Sequence, residues 1–258
     1  MGRIIAVANQ KGGVGKTTTS VNLAASLAVA EKKVLLIDFD PQGNATSGLG
    51  IDKRSCNGIY HALIQEEDIR SLMKHTELRF LKLVPASMDL IGAEVELIDS
   101  PEREFKLKEC LKPIADQFDY IFIDCPPSLS LLTVNALVAA DSVLIPLQCE
   151  YYALEGISEI LRTIELIKAK LNPELKMEGV VLTMFDSRNN LAHQVVEDIR
   201  GHFGEKAFNT VIPRNVRLCE SPSFGKPVIL YDVQSKGAVS YMELAKEILL
   251  RDREAVKS

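Results

Sequence analysis

Residues 10–17 read Gln10-Lys11-Gly12-Gly13-Val14-Gly15-Lys16-Thr17, at the point where a short apolar run (4–8) gives way to a helical pattern (17–30). The three glycines let backbone amides wrap an anionic phosphate, and the start of the helix adds the positive end of its dipole. Lys16 is placed to reach the β- and γ-phosphates of a nucleotide as a point charge, and the Thr17 hydroxyl suits Mg2+. The general pattern G-x-x-x-x-G-K-[ST] has Gln10 in place of its first glycine, but a second lysine, Lys11, stands five residues before Lys16.

Outward from this loop, β-branched and apolar runs at 34–38, 78–84, 120–124, 142–146, 178–184 and 208–212 alternate with helical patterns. The helical patterns fall at 88–98, 104–117, 131–139, 154–171, 192–203 and 238–251. Strands apolar on both faces and spaced by helices mean a parallel sheet covered on both sides. The fold class expected is therefore α/β: a doubly wound, mostly parallel sheet with helices on both faces, of P-loop NTPase type. No internal repeat, low-complexity tract or Pro/Gly/Ser linker divides the sequence, so residues 1–258 are expected to form one domain.

Two further segments end in carboxylates. The run from Val34 continues through Asp38 and Phe39 to Asp40, and ligands of open α/β sheets bind at the carboxyl ends of strands. Alternation along an extended chain points Asp38 and Asp40 the same way, towards the phosphates. The alternative is that they cap the turn Pro41-Gln42-Gly43-Asn44. Tyr120-Ile121-Phe122-Ile123-Asp124 is an apolar strand ending in an acid suited to the magnesium shell, and Pro126-Pro127 bars a helix directly after it.

Composition narrows the class. Lys plus Arg is 30 against 35 Asp plus Glu, a net charge of −5, which argues against a whole-surface nucleic-acid binder but not against a local basic patch. Residues 186–258 hold 11 basic against 10 acidic side chains, so the balance turns slightly positive there. The five cysteines (Cys56, Cys110, Cys125, Cys149, Cys219) form no Cys-x-x-Cys pair, which points to a reducing, cytoplasmic setting. His61, His75, His193 and His202 have no metal-ligand spacing. The apolar stretch at 131–147 is broken by Asn135, Asp141 and Pro146, so no membrane span is expected.

Lys11-Gly12-Gly13-Val14-Gly15-Lys16-Thr17 resembles the deviant Walker A motif of the MinD/ParA group of P-loop ATPases, and Asp124-Cys125-Pro126-Pro127 matches the same group. The segments 8–18, 38–50, 150–156, 212–222 and 225–228 resemble its ParA/Soj branch, and the likeness runs from residue 3 to about 250. The resemblance implies an ATPase that partitions chromosomes or plasmids, with ATP and Mg2+ bound between two subunits of an ATP-dependent homodimer. It implies catalytic roles for Lys11, which crosses to the partner's phosphates, for Lys16, and for Asp40, which orients water. ATP would rest on Lys11, Gly12, Gly13, Val14, Gly15, Lys16, Thr17 and Thr18, with adenine near Met184, Pro213 and Asn215. Mg2+ would be held by Thr17, Asp38 and Asp124, the two acids through water.

The resemblance further implies non-specific double-stranded DNA binding by Arg188 and Arg217, joined by Lys226 and Lys236 in the same basic region, and stimulation by a ParB-type centromere-binding protein. It places such a protein in the cytoplasm, on the bacterial nucleoid. The last helix (238–251) mixes acids among its apolar positions and reads as core packing rather than the membrane-binding helix of MinD-like proteins. No N-terminal DNA-binding extension is expected, since the first strand begins at once. Two alternatives share the loop: a positioning ATPase for another cargo, and a metabolic or electron-transfer P-loop protein. Lys11, the lack of a cysteine pair and the loop Pro213-Arg214-Asn215-Val216-Arg217 count against the latter.

Overall fold

Apolar side chains on both faces let each central strand serve two cores at once. The computed structural model describes residues 2–54, 57–150 and 153–255. Cys56, the Tyr151-Tyr152 part of the 150–156 motif and residues 256–258 lie outside them. Eight strands, β1 (Arg3–Val7), β2 (Val34–Asp38), β3 (Lys74–His75), β4 (Leu81–Val84), β5 (Tyr120–Asp124), β6 (Ser142–Gln148), β7 (Lys176–Phe185) and β8 (Ala207–Pro213), form one sheet in the order β3-β4-β2-β5-β1-β6-β7-β8. All pairings are parallel except that of β3 with β4. The α/β, mostly parallel sheet expected from the sequence is the one observed.

The helices are α1 (Lys16–Val29), α2 (Asn44–Gly48), α3 (Ile59–Ile64), α4 (Ile69–Leu72), α5 (Leu90–Glu96), α6 (Lys106–Leu111), α7 (Leu131–Ala139), α8 (Ala153–Lys170), α9 (Asn190–Phe203), α10 (Val216–Glu220), α11 (Val228–Tyr231) and α12 (Lys236–Ala255). Ile4 and Ala6 of β1 enter one core with Leu35 and Ile37 of β2 and Ile121 and Ile123 of β5. Their neighbours Ile5, Val7, Val34, Leu36, Tyr120 and Phe122 enter the other. Helices α7, α8 and α9 supply the first core, and α1 and α12 the second. Tyr241, Leu244, Ala245 and Ile248 are buried there, so α12 is a core helix, as its pattern indicates. No helix among the described residues is long and apolar enough to cross a membrane.

Some boundaries differ from the sequence reading. The single helix expected over 104–117 is α6 followed by a short 3-10 turn, Ala115–Gln117, because Pro113 cannot continue a helix. The strand expected over 78–84 begins at Leu81, since Leu81 N–H turns back to the Leu78 carbonyl (3.0 Å). Strand β3 and the short helices α2, α3, α4, α10 and α11 have no counterpart in the sequence reading.

One close approach ties the two halves of the functional edge together. Gly225 has φ 63° and a Cβ there would lie 2.6 Å from the Gly50 Cα. We expect Gly225→Ala to destabilise the protein by about 1–3 kcal/mol, read as a lower urea midpoint. Gly201 lies in α9, where an added Cβ meets nothing within 4 Å, so Gly201→Ala should instead stabilise by about 0.5–1 kcal/mol.

Candidate functional site at the carboxyl edge of the sheet

Parallel register brings the chemistry to one edge. Val7 pairs with Asp124 and Asp38 pairs with Asp124, so β1, β5 and β2 end side by side and deliver the loop and two carboxylates together. The loop is held from behind. The Thr183 hydroxyl donates to the Val14 carbonyl (2.8 Å), and the Asn9 amide donates to the Pro146 carbonyl (2.8 Å). Gly13 (φ 74°) and Gly15 (φ 87°) adopt left-handed backbone, which swings the chain into α1. A Cβ at Gly12 or Gly13 would meet nothing within 4 Å, so these residues border open space rather than protein.

Lys16 is buried, and its ammonium donates to the Lys11 carbonyl at 3.1 Å. Burial pushes its pKa down, with Asp124 foremost among the groups that pull it back up. Asp124 has no exposed surface. Its Oδ1 accepts from the Ser20 hydroxyl (2.7 Å), while Oδ2 is buried without a hydrogen-bond partner. Desolvation raises the Asp124 carboxyl above its usual range, the Asp38 charge adds to this, and the Ser20 and Thr17 hydroxyls oppose it.

Asp38 is fully buried too. Its Oδ2 accepts from both the Thr46 amide (2.7 Å) and the Thr46 hydroxyl (2.6 Å), and its Oδ1 accepts from the Asp40 amide (3.3 Å). Burial raises its pKa against those hydrogen bonds. Asp40 is 8% exposed and accepts from the Gln42 amide at 2.9 Å. Both acids brace the turn that follows β2, as the capping alternative has it, and Asp40 also acts on the Lys16 ammonium.

This donor set fits a cation. Asp124 and Asp40 act on the sequestered Lys16 ammonium, Asp38 lies buried beside them, and surplus buried charge is costly unless it is matched. Among the described residues no three His, Cys, Asp or Glu side chains converge on one point. An ion here would rest on one or two protein oxygens and its own waters, the habit of magnesium.

Lys11 is aimed elsewhere. It pairs with Glu150 at 3.5 Å, both side chains about half exposed. Thr17 and Thr18 line a separate cavity of about 320 Å³ together with Asn44, Ser47 and Lys226. Pairing of Phe185 with Pro213, and of the Arg214 amide with the Phe185 carbonyl (2.9 Å), sets Met184 beside the Pro213–Asn215 turn. Met184 has φ 53°, a strained value for a non-glycine residue. Asn215 caps α10 by accepting from the Arg217 amide (3.0 Å).

The four basic residues expected at a DNA surface are all at the surface, and three are already paired. Arg188 is bidentate on Asp186 (2.9 and 2.8 Å), Arg217 pairs with Glu220 (2.8 Å) and Asp232 (3.2 Å), and Lys226 pairs with Glu77 (3.4 Å). Lys236 is exposed at the start of α12. Sequence reasoning missed Ser20, Thr46 and Thr183. Ser20 carried a signal, since it sits four residues after Lys16 and so shares its helix face. Thr46 and Thr183 reach the site through tertiary contacts that no local pattern displays.

A family described as "AAA domain" matches residues 2–177. The chain is 63% identical over 253 residues to the chromosome partitioning protein ParA of Myxococcus xanthus, covering 98% of this chain and 89% of that protein. It is 56% identical to the sporulation initiation inhibitor protein Soj of Bacillus subtilis, covering 96% and 98%. Among solved structures, the cobyrinic acid a,c-diamide synthase of Mycobacterium smegmatis with bound ADP and magnesium superposes with a TM-score of 0.87 at 37% identity, covering 99% of this chain and 97% of that one. The metabolic alternative is not favoured, because the similarity to the partitioning proteins is far greater. On sequence, fold and the arrangement of its phosphate loop, this chain belongs to the ParA/Soj family of chromosome-partitioning ATPases.

Proposed function

We propose that the chain binds Mg-ATP at residues 11–18, dimerises on it, and then holds double-stranded DNA without reading sequence. A ParB-type centromere-binding partner would stimulate slow hydrolysis, so that DNA is partitioned over the nucleoid in the cytoplasm. The observation that carries this reading is the surplus of buried carboxylate around Lys16, with Asp124 Oδ2 unpartnered, at the mouth of an open glycine loop. The bound magnesium supplies positive charge that offsets the phosphate oxygens.

Each residue has a separate task in this proposal. Lys16, anchored on the Lys11 carbonyl, offers its charge to the β- and γ-phosphates. Thr17 and Asp124 hold the cation, and Asp38 stands behind them, fixing the turn through Thr46. Asp40 orients the attacking water. Lys11 leaves Glu150 and crosses to the second subunit, where a cation supplied in trans stabilises charge in the transition state. Leaving costs little, since an exposed pair of this kind is worth about 0–1 kcal/mol. Met184, Pro213 and Asn215 border the adenine. Arg188 and Arg217, with Lys226 and Lys236, exchange carboxylate partners for DNA phosphates. Each exchange gains little alone, so two subunits are needed to hold the duplex.

Four measurements test these assignments. Lys16→Ala should weaken ATP binding by about 2 kcal/mol or more, roughly thirtyfold, in calorimetry. Lys11→Ala should keep most of that affinity yet remain monomeric with ATP in sedimentation; a normal ATP dimer from this variant would disprove the trans role.

Asp40→Ala should bind ATP and accumulate as a dimer while turnover falls by about 10²–10⁴. Normal hydrolysis by this variant would move water activation to another residue.

Arg188→Glu or Arg217→Glu should weaken binding equally to duplexes of unrelated sequence and lower the log–log salt slope by about one per lost contact. ATP-dependent dimerisation should survive. Equal DNA affinity of the ADP and ATP forms would remove the link between dimerisation and DNA.

A further inference from the structure

Helix α5 is apolar on two opposite sides. Leu90, Ala93 and Leu97 face inward and are buried. Ile91 and Val95, with Met88 and Ile98 in the turns that flank the helix, fall together on the other side at helical spacing and are 50%, 69%, 55% and 53% exposed. Single exposed apolar residues are ordinary, but four in one stripe form a patch of the kind that marks an interaction surface. The stripe is also held rigidly. The Thr46 hydroxyl accepts from the Ala86 amide (3.1 Å), the Pro85 carbonyl accepts from the Ile59 amide (2.9 Å), and the Tyr60 hydroxyl donates to Glu96 (3.0 Å).

The charge around the stripe is one-sided. Between residues 88 and 104 stand Asp89, Glu94, Glu96, Asp99, Glu102 and Glu104 against Arg103 alone, and Arg103 is spent on Glu104 (3.1 Å). Glu94 and Asp99 bracket the apolar residues in helical projection. Glu102, four residues beyond Ile98, lines a groove of about 340 Å³ whose other walls carry Glu66, Glu67, Asp68 and Glu109 against Lys106 and Arg70, the latter held by Asp68. A second copy of this face would set acid against acid, and an anionic lipid surface would be repelled. The complement is apolar along one side and positive at its margins.

We propose that the exposed face of α5 is a docking surface for a basic amphipathic segment of a partner protein. Leucine-like side chains of that segment cover Ile91 and Val95, and its lysines or arginines meet Glu94, Asp99 and Glu102. The surface lies apart from the phosphate loop, so docking does not require ATP. Thr46, which bonds both Ala86 and Asp38, joins it to the turn beside that loop.

The test uses the full chain without nucleotide and a fluorescein-labelled synthetic helix of leucine and lysine in amphipathic order, followed by anisotropy. The wild type should bind it, and Val95→Lys and Ile98→Lys should each weaken binding about tenfold or more, with unchanged urea midpoints. Leu166→Lys, at an isolated exposed position on α8 (51%), should bind as the wild type does. Four results would overturn the proposal. One is equal binding by Val95→Lys, and another is equal binding of a peptide with the same composition in scrambled order. The third is nucleotide-free self-association of the wild type that Val95→Lys abolishes, which would assign the stripe to a second copy. The fourth is adsorption to phosphatidylglycerol vesicles that the same variant loses. Because the readout needs neither ATP nor DNA, its failure is separate from any failure of the partition reading.

Discussion

Asp38 and Asp124 end neighbouring strands with no exposed surface, Asp124 acts on the buried ammonium of Lys16, and most of the functional edge is arranged around that imbalance of charge. A carboxylate can be kept from water only if its oxygens are occupied. Asp38 meets this by capturing Thr46 twice and Asp40 once, which folds the residues after β2 back over the strand end. Asp124 meets it halfway, through Ser20, and leaves one oxygen for something the chain does not itself provide. The first acid is structural by saturation and the second is available by omission, although the sequence presents them as equivalent strand-terminal acids.

The parts legible in the sequence are those dictated by local chemistry. Central strands had to be continuous apolar runs because two cores claim alternate side chains, and β1, β2 and β5 lie where such runs occur. The glycine loop was legible because few other residues could take its backbone. Helix α2 was not, since Asn44-Ala45-Thr46-Ser47-Gly48 has little helical preference of its own and is held by the Asp38 carboxylate. Strand β3 is two residues of edge pairing, too short for any alternation to register.

Charge counts were the weaker guide. A surplus of one basic residue over 186–258 says little, because Arg188, Arg217 and Lys226 each sit against an acid in the folded chain. What matters for a polyanion is how readily those partners are exchanged, and all three pairs lie at the surface, where water and salt already compete for them. The stripe on α5 is the opposite case: the sequence shows only a helical pattern at 88–98, and the packing reveals that one of its apolar sides is exposed.

The backbone contact between Gly50 and Gly225 has a mechanical meaning. Side-chain contacts can absorb small displacements by changing rotamer, whereas two main chains at van der Waals distance cannot. Gly50 ends the turn that Asp38 braces, and Gly225 precedes Lys226, so a side chain at either position would push the two loops apart. The turn beside the phosphate loop and the loop that carries Lys226 therefore meet main chain to main chain. The absence of two side chains makes that contact possible.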